Sequence, residues 1–163
     1  MKKIIVISDT HIPVVAKELP KELESYLENS DYLISAGDFV SQDFLKDLEK
    51  KYNLIGVAGN MDSLEIRNYL PYKRTFEIEG VKFGLIHGRG APQDLIEYCL
   101  KEFEGKDLDI IIFGHSHRAF KGYYKDIFFF NPGSPTDTIY APYKSFGIIE
   151  VEDGKFKAEI KRI

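Results

Sequence analysis

Cysteine is nearly absent from this 163-residue chain: Cys99 stands alone, so no internal disulfide can form. In "QDLIEYCLKEF" it shares a helical face with Leu95, Ile96 and Phe103, which reads as a buried thiol acting as a small apolar side chain. Long hydrophobic runs are missing too. No stretch approaches the ~20 apolar residues of a membrane span. The opening "KKIIVIS", followed at once by polar Asp-Thr-His, does not resemble a secretory leader. The expectation is a cytoplasmic protein with no membrane contact. Positive charge is also in short supply: 22 Lys and Arg against 26 Asp and Glu leave a formal net charge of −4. Strong nucleic-acid binding, which relies on neutralising phosphates, is therefore not expected. No basic stripe or stacking platform is evident, since "YYKDIFFF" reads as an apolar core hairpin. A small phosphorylated substrate remains open, because local charge matters more than the total. There is no Gly-x-Ser-x-Gly elbow and no cysteine near a histidine in sequence, which argues against a covalent nucleophile.

What is present is patterned. The length suits one domain over residues 1–163 with a full hydrophobic core. "KKIIVIS", "DYLISAGD" and "NLIGVAGN" read as short buried strands. Between and after them lie helices: "ELPKELESYLENS" with Leu19, Leu23 and Leu27 at spacing four, "SQDFLKDLEKKY" capped by Ser41, and "DSLEIRNYL", where Asp62 and Glu65 resemble a capping box. This βαβαβα order favours a parallel sheet with packed helices. The second half changes character. It reads as hairpins turning at Glu79-Gly80, Lys125-Asp126 and Asp153-Gly154, one amphipathic helix in "APQDLIEYCLKEFEG", and a buried strand in "LDIIIFG". About ten strands at this length point to an α/β protein with two sheets face to face rather than one large sheet.

Histidine is scarce, and its placement carries the functional argument. All four histidines follow apolar runs: His11 in "IIVISDTH", His87 in "FGLIHG", and His115 and His117 in "IIIFGHSH". Asp9 shares the first strand end with His11, Asp38 and Asn60 stand at two further ones, and glycine lies beside most of these groups. In open α/β sheets, ligands gather beyond the carboxyl ends of the strands. Singly, each residue has a plainer reading: a hydrogen-bonded turn histidine, an N-cap aspartate, a Gly-Asn turn. Together they make seven nitrogen and oxygen donors with no histidine left over. A single catalytic zinc takes about three protein ligands, so seven suit two ions sharing a carboxylate. Imidazole, carboxylate and amide donors fit manganese, iron, nickel or zinc better than calcium or magnesium alone.

In this order, Asp9-x-His11, Gly37-Asp38, Gly59-Asn60, His87 and Gly114-His115-x-His117 resemble the calcineurin-like metallophosphoesterases. The small size, "GNMD", and "NPGS" at 131–134 are similar to their small bacterial and archaeal phosphodiesterase branch. The non-enzymatic retromer subunit of eukaryotes shares that fold. The resemblance implies a four-layer αββα sandwich of two mixed β-sheets flanked by helices. It implies that Asp9, His11, Asp38 and His117 hold one divalent ion and that Asp38, Asn60, His87 and His115 hold the other, with Asp38 bridging. Manganese is the first choice, with nickel, iron, zinc and magnesium as alternatives. The implied reaction is hydrolysis of a small phosphodiester by direct attack of a metal-bridging hydroxide. Asp38, Asn60, His87 and His115 would be the catalytic set, and Asn60 and Arg89 would contact substrate. Two residues depart from larger relatives. Met61 replaces the histidine of Gly-Asn-His, and Ser41 replaces the aspartate that supports it. A thioether donates no proton, so Met61 reads as a gap-filling residue at the pocket wall. The alternatives are a non-catalytic protein-binding scaffold on the same fold, or a phosphomonoesterase or nucleotidase. Oligomeric state is left open, a homodimer included. "SPTDTIYAPY" reads as a flexible loop over the site.

Overall fold

The opening strand sets the architecture. In β1 (Lys2–Ile7) the residues Ile4, Ile5, Val6 and Ile7 are all fully buried, so both of its faces are covered. The chain continues through α1 (Lys21–Leu27), β2 (Tyr32–Ser35), α2 (Gln42–Lys51), β3 (Leu54–Gly56) and α3 (Leu64–Tyr69). The second half comprises β4 (Lys73–Ile78), β5 (Val81–Ile86), a 3₁₀ turn at Pro92–Asp94, α4 (Leu95–Glu102), β6 (Ile110–Ile112), β7 (Phe120–Tyr124), β8 (Ile127–Asn131), β9 (Ser145–Glu152) and β10 (Lys155–Arg162). The computed structural model describes all of residues 1–163.

Two five-stranded mixed sheets result, ordered β10-β9-β1-β2-β3 and β4-β5-β6-β8-β7. β1, β2 and β3 run parallel, as the βαβαβα pattern predicts, and β9 returns antiparallel against β1. The inner faces pack together through Ile4, Val6, Ile34, Phe83, Ile112 and Phe130. On the outside of the first sheet, Ile5, Ile7 and Leu33 meet Leu23, Leu27, Leu45 and Ile66 of α1, α2 and α3. On the outside of the second, Ile111 and Phe129 meet Leu95, Cys99 and Phe103 from α4 and its end. The layers are thus helices, sheet, sheet, helix, and Cys99 is the buried apolar thiol expected.

The hairpins turn where the sequence places them. Glu79-Gly80, Lys125-Asp126 and Asp153-Gly154 all have positive φ at both residues, which matches the twist of the flanking strands. Ser41 caps α2, its Oγ accepting from Phe44 N at 3.5 Å. The cap of α3 differs from the expectation. Ser63, not Asp62, accepts from Ile66 N, because the Asp62 carboxylate turns inward to other backbone groups.

Candidate functional site

The loops that follow β1, β2, β3, β5 and β6 converge at one end of the sandwich. Backbone bonds stitch them in pairs: Asp9 N donates to Gly37 O and His11 N to Asp38 O, both at 3.0 Å, and Gly114 N to His87 O at 2.9 Å. Asp9 joins the two sheets, because its Oδ2 accepts from His115 N at 3.0 Å and from Ser8 Oγ at 2.8 Å. The approach is close enough to require glycine. A Cβ on Gly59 would lie 2.1 Å from Asp38 Oδ1, and one on Gly114 would lie 2.0 Å from Ser8 Oγ.

Holding these side chains together strains the backbone. Asp9, His11, Asp38, His115 and His117 all have φ between 47° and 71°. Non-glycine residues in this region cost ~1–3 kcal/mol each and collect at functional sites. Val40, with φ of 77°, is less tolerant still, being β-branched.

Asp9 and Asp38 are buried, with His87 beside them. Asp38 Oδ2 lies 3.3 Å from His11 Nε2 and 3.2 Å from His87 Nε2. Asp9 Oδ1 lies 3.5 Å from His117 Nε2, 3.7 Å from His87 Nε2 and 4.0 Å from His11 Nε2. The imidazoles stand in pairs: His11 with His117 at 5.1 Å between centroids, and His87 with His115 at 5.3 Å. Two groups could hold a metal ion, Asp9-His11-His117 and Asp9-Asp38-His87. Asp9 belongs to both, whereas the resemblance gives the shared role to Asp38. His115 lies outside these groups, its Nδ1 3.2 Å from Asn60 Oδ1.

Buried atoms without hydrogen-bond partners decide what the cluster is suited to. Asp9 Oδ1, His11 Nε2 and His87 Nε2 are buried and unpartnered. Such groups cost roughly 1–3 kcal/mol each unless something satisfies them. Divalent cations in the two groups would satisfy these atoms, so the donor set fits metal. The tautomers agree. His87 Nδ1 lies 2.7 Å from Ala36 O, and a carbonyl only accepts, so Nδ1 carries a proton and Nε2 faces the carboxylates. His117 Nδ1 lies 2.6 Å from Asp137 Oδ2, which fixes the same orientation.

Charge is redistributed accordingly. Burial opposes protonation of His87, but the carboxylates of Asp9 and Asp38 prevail and push its imidazole up to about 9. Burial would raise Asp38, yet the close imidazoles of His11 and His87 outweigh it and hold the carboxyl well below the usual range. Burial pushes Asp9 up, against the pull of His87 and His117. Without a metal ion, the two carboxylates favour the protonated form of His87.

A model of the calcineurin-like phosphoesterase superfamily domain matches residues 1–154. The chain belongs to this superfamily. A probable metallophosphoesterase of Methanothermobacter thermautotrophicus is 38% identical over 163 residues, covering 96% of this chain and 90% of that one. A phosphodiesterase of Methanocaldococcus jannaschii is 27% identical over 169 residues, covering 95% and 96%. The solution structure of a Thermotoga maritima protein superposes with a TM-score of 0.80 at 35% identity, over the whole of both chains. Vps29 of Chaetomium thermophilum also reaches 0.80, covering 99% and 95%, but at 23% identity it shows the shared fold alone. The superfamily is hydrolytic and metal-dependent, which agrees with the unpartnered donor atoms.

Two residues that hold the cluster in place escape a reading of strand ends. Asp62 accepts three backbone bonds, from Val40 N at 2.7 Å, Gly59 N at 2.7 Å and Asp38 N at 3.0 Å. Asp137 holds His117 and also accepts from Ile139 N at 2.8 Å and Ala141 N at 3.0 Å. Their signal was the density of Ser, Thr and Asp around them, which is common to ordinary turns. The segment carrying Asp137 is not the free loop expected in its first half. Ser134, Thr136 and Asp137 are buried, with Ser134 Oγ donating to Asp9 O and Thr136 Oγ1 to Thr10 O, both at 2.8 Å. Met61 likewise departs from its expectation. Its side chain is 57% exposed and fills no gap, while its N–H donates to Asp38 Oδ1 at 2.8 Å. No helix of the chain is long and apolar enough to cross a membrane.

Proposed function

We propose that the chain, as one cytoplasmic domain, is a metal-dependent phosphodiesterase acting on a small phosphodiester. The observation that carries this reading is the convergence of Asp9 Oδ1, His11 Nε2 and His87 Nε2 as buried, unpartnered atoms. Asp9, His11 and His117 would hold one divalent ion. Asp38, Asn60, His87 and His115 would hold the second, with Asp38 between His11 and His87 as the shared carboxylate. Manganese is the preferred ion for this mixed set of nitrogen and oxygen donors. When bound, such a pair lowers the pKa of water toward ~7 and neutralises developing charge on phosphoryl oxygens.

The chain's own groups do the rest. Ala36 O and Asp137 fix the imidazole tautomers of His87 and His117, so that each presents Nε2 inward. Asn60, exposed beside His115, orients a phosphoryl oxygen, and Arg89 offers charge at the rim. No side chain is needed as a covalent nucleophile. Position 61 supplies no proton to the departing oxygen, because Met61 is a thioether and points outward. Esters with acidic alcohols, such as aryl diesters, are therefore the better substrates.

The test is hydrolysis of a bis-aryl phosphate by protein freed of metal with a chelator and then supplied with manganese. Turnover returns with the metal, and Asp38→Asn loses both metal and turnover. Full turnover in Asp38→Asn would sink the ligand assignment. A second reading, a protein-binding scaffold, draws on the exposed apolar side chains Val14, Ile139 and Tyr140, close in sequence to His11 and Asp137. It is favoured if manganese elicits no hydrolysis.

A further inference from the structure

Beside Asn60 and His87 opens a cavity of about 490 Å³ whose other walls include Arg67, Arg89, Tyr72 and Tyr98. Its composition runs against the charge of the protein as a whole. The chain carries a net charge of −4, yet no Asp or Glu lines this cavity, while two arginines do. Neither guanidinium takes part in a side-chain hydrogen bond, an ion pair or a cation–π contact; Arg67 closes the last turn of α3, and Arg89 follows His87 by two residues. The nearby carboxylate of Glu102 is already engaged, by Lys73 Nζ at 3.0 Å and by Tyr72 OH. Asp9 and Asp38 lie behind His87, among the imidazoles. Two uncompensated guanidiniums therefore share one cavity with a pair of aromatic rings and the residues expected to hold the phosphoryl group.

We infer that this cavity is a subsite for one arm of the substrate, and that this arm carries a second anionic group, a carboxylate or a further phosphate, bound by Arg67 and Arg89. Guanidinium recognises both groups through planar, charge-assisted hydrogen bonds. Tyr72 and Tyr98 supply flat apolar surface for the body of the arm. Burial and Glu102 keep the Tyr98 hydroxyl protonated, and the Glu102 hydrogen bond pushes Tyr72 up to about 12, so neither ring adds negative charge near neutral pH. The inference rests on the phosphodiesterase reading for the identity of the neighbouring group, but not for the charge preference itself.

The experiment uses three 4-nitrophenyl phosphodiesters whose second arm is phenyl, 4-carboxyphenyl or 4-(phosphonomethyl)phenyl, with the manganese-supplied protein. The anionic arms should raise kcat/KM over the phenyl arm by about tenfold or more, as expected for charge-assisted bonds, and mainly through KM. Arg67→Gln and Arg89→Gln should each reduce that ratio, and together bring it to within about twofold of unity. Lys155→Gln, a cation removed at the β9–β10 turn, should leave the ratio unchanged. The ranking of the carboxylate and phosphonate arms decides which anion the site prefers. Calorimetric titration with inert methylenephosphonate analogues of the same compounds reads the ratio without turnover. Equal affinity for neutral and anionic arms overturns the subsite, whether or not hydrolysis occurs. A preserved preference in binding without any hydrolysis removes the activity and supports the subsite.

Discussion

Replacing Asp62 by Ala probes how the site is held, without removing any of the proposed metal ligands. The carboxylate is buried and accepts from the N–H groups of Val40, Gly59 and Asp38. It thereby ties the loop after β2 to the loop after β3. Two of the residues it holds have left-handed backbone, Asp38 with φ of 60° and Val40 with φ of 77°. A buried N–H left without a partner costs about 1–3 kcal/mol. Water entering the vacated space would recover part of this, so the net loss should be roughly 3–5 kcal/mol. For a chain of this size each kcal/mol moves Tm by about 2–4 °C, which gives a drop of roughly 6–20 °C. Burial pushes the Asp62 carboxyl up and the N–H groups offset this only in part, so the stabilisation comes from the satisfied backbone rather than from the charge. Asp62→Asn should lose less. Its amide oxygen can take the position that serves Asp38 and Gly59, while its NH₂ then faces the Val40 N–H. Manganese affinity should fall in the same order, Ala below Asn below wild type, because a relaxed turn moves Asp38. Urea denaturation and calorimetric metal titration measure the two effects. An Asp62→Ala protein within 1 kcal/mol of wild type would refute the reasoning.

Other consequences follow from the same geometry. His87 is raised from 6.5 to about 9, so in metal-free protein it contributes stability that is complete below pH 6.5 and is lost as pH rises through 9. The shift corresponds to roughly 3 kcal/mol, and denaturation of chelated protein between pH 6 and 10 should show the decline; a flat profile would contradict the raising of His87 by the two carboxylates. Asp137→Asn should weaken manganese binding about 10–100-fold by releasing the His117 tautomer, read by competition with a chelator; unchanged affinity would mean that Asp137 only shapes its own loop. Gly114→Ala places a methyl group 2.0 Å from Ser8 Oγ and 2.8 Å from Asp9 Oδ2. It should cost about 1–3 kcal/mol together with metal affinity, measured by thermal melting; a neutral result would show that the loop has room to move.

The elements and the inventory of donors were legible in the order of residues, because both are local. Alternation along Phe156, Ala158 and Ile160 marks the face of β10 that packs on the inner core, and two-residue turns at Glu79-Gly80, Lys125-Asp126 and Asp153-Gly154 fix the hairpins. Strand ends could likewise be read, since an apolar run that stops at Asp9, Asp38, His87 or His115 shows where a side chain leaves the sheet. Tertiary structure alone decided the partners. Asp62 and Asp137 look like turn residues in sequence, and their work depends on the loop after β2 and the loop after β6 arriving beside them. Only convergence reveals that Asp9 Oδ1, His11 Nε2 and His87 Nε2 share a buried space with no partner, or that Arg67 and Arg89 face one cavity. Periodicity reports which face of an element is apolar, whereas hydrogen-bond satisfaction and charge balance depend on distances between segments that lie far apart along the chain.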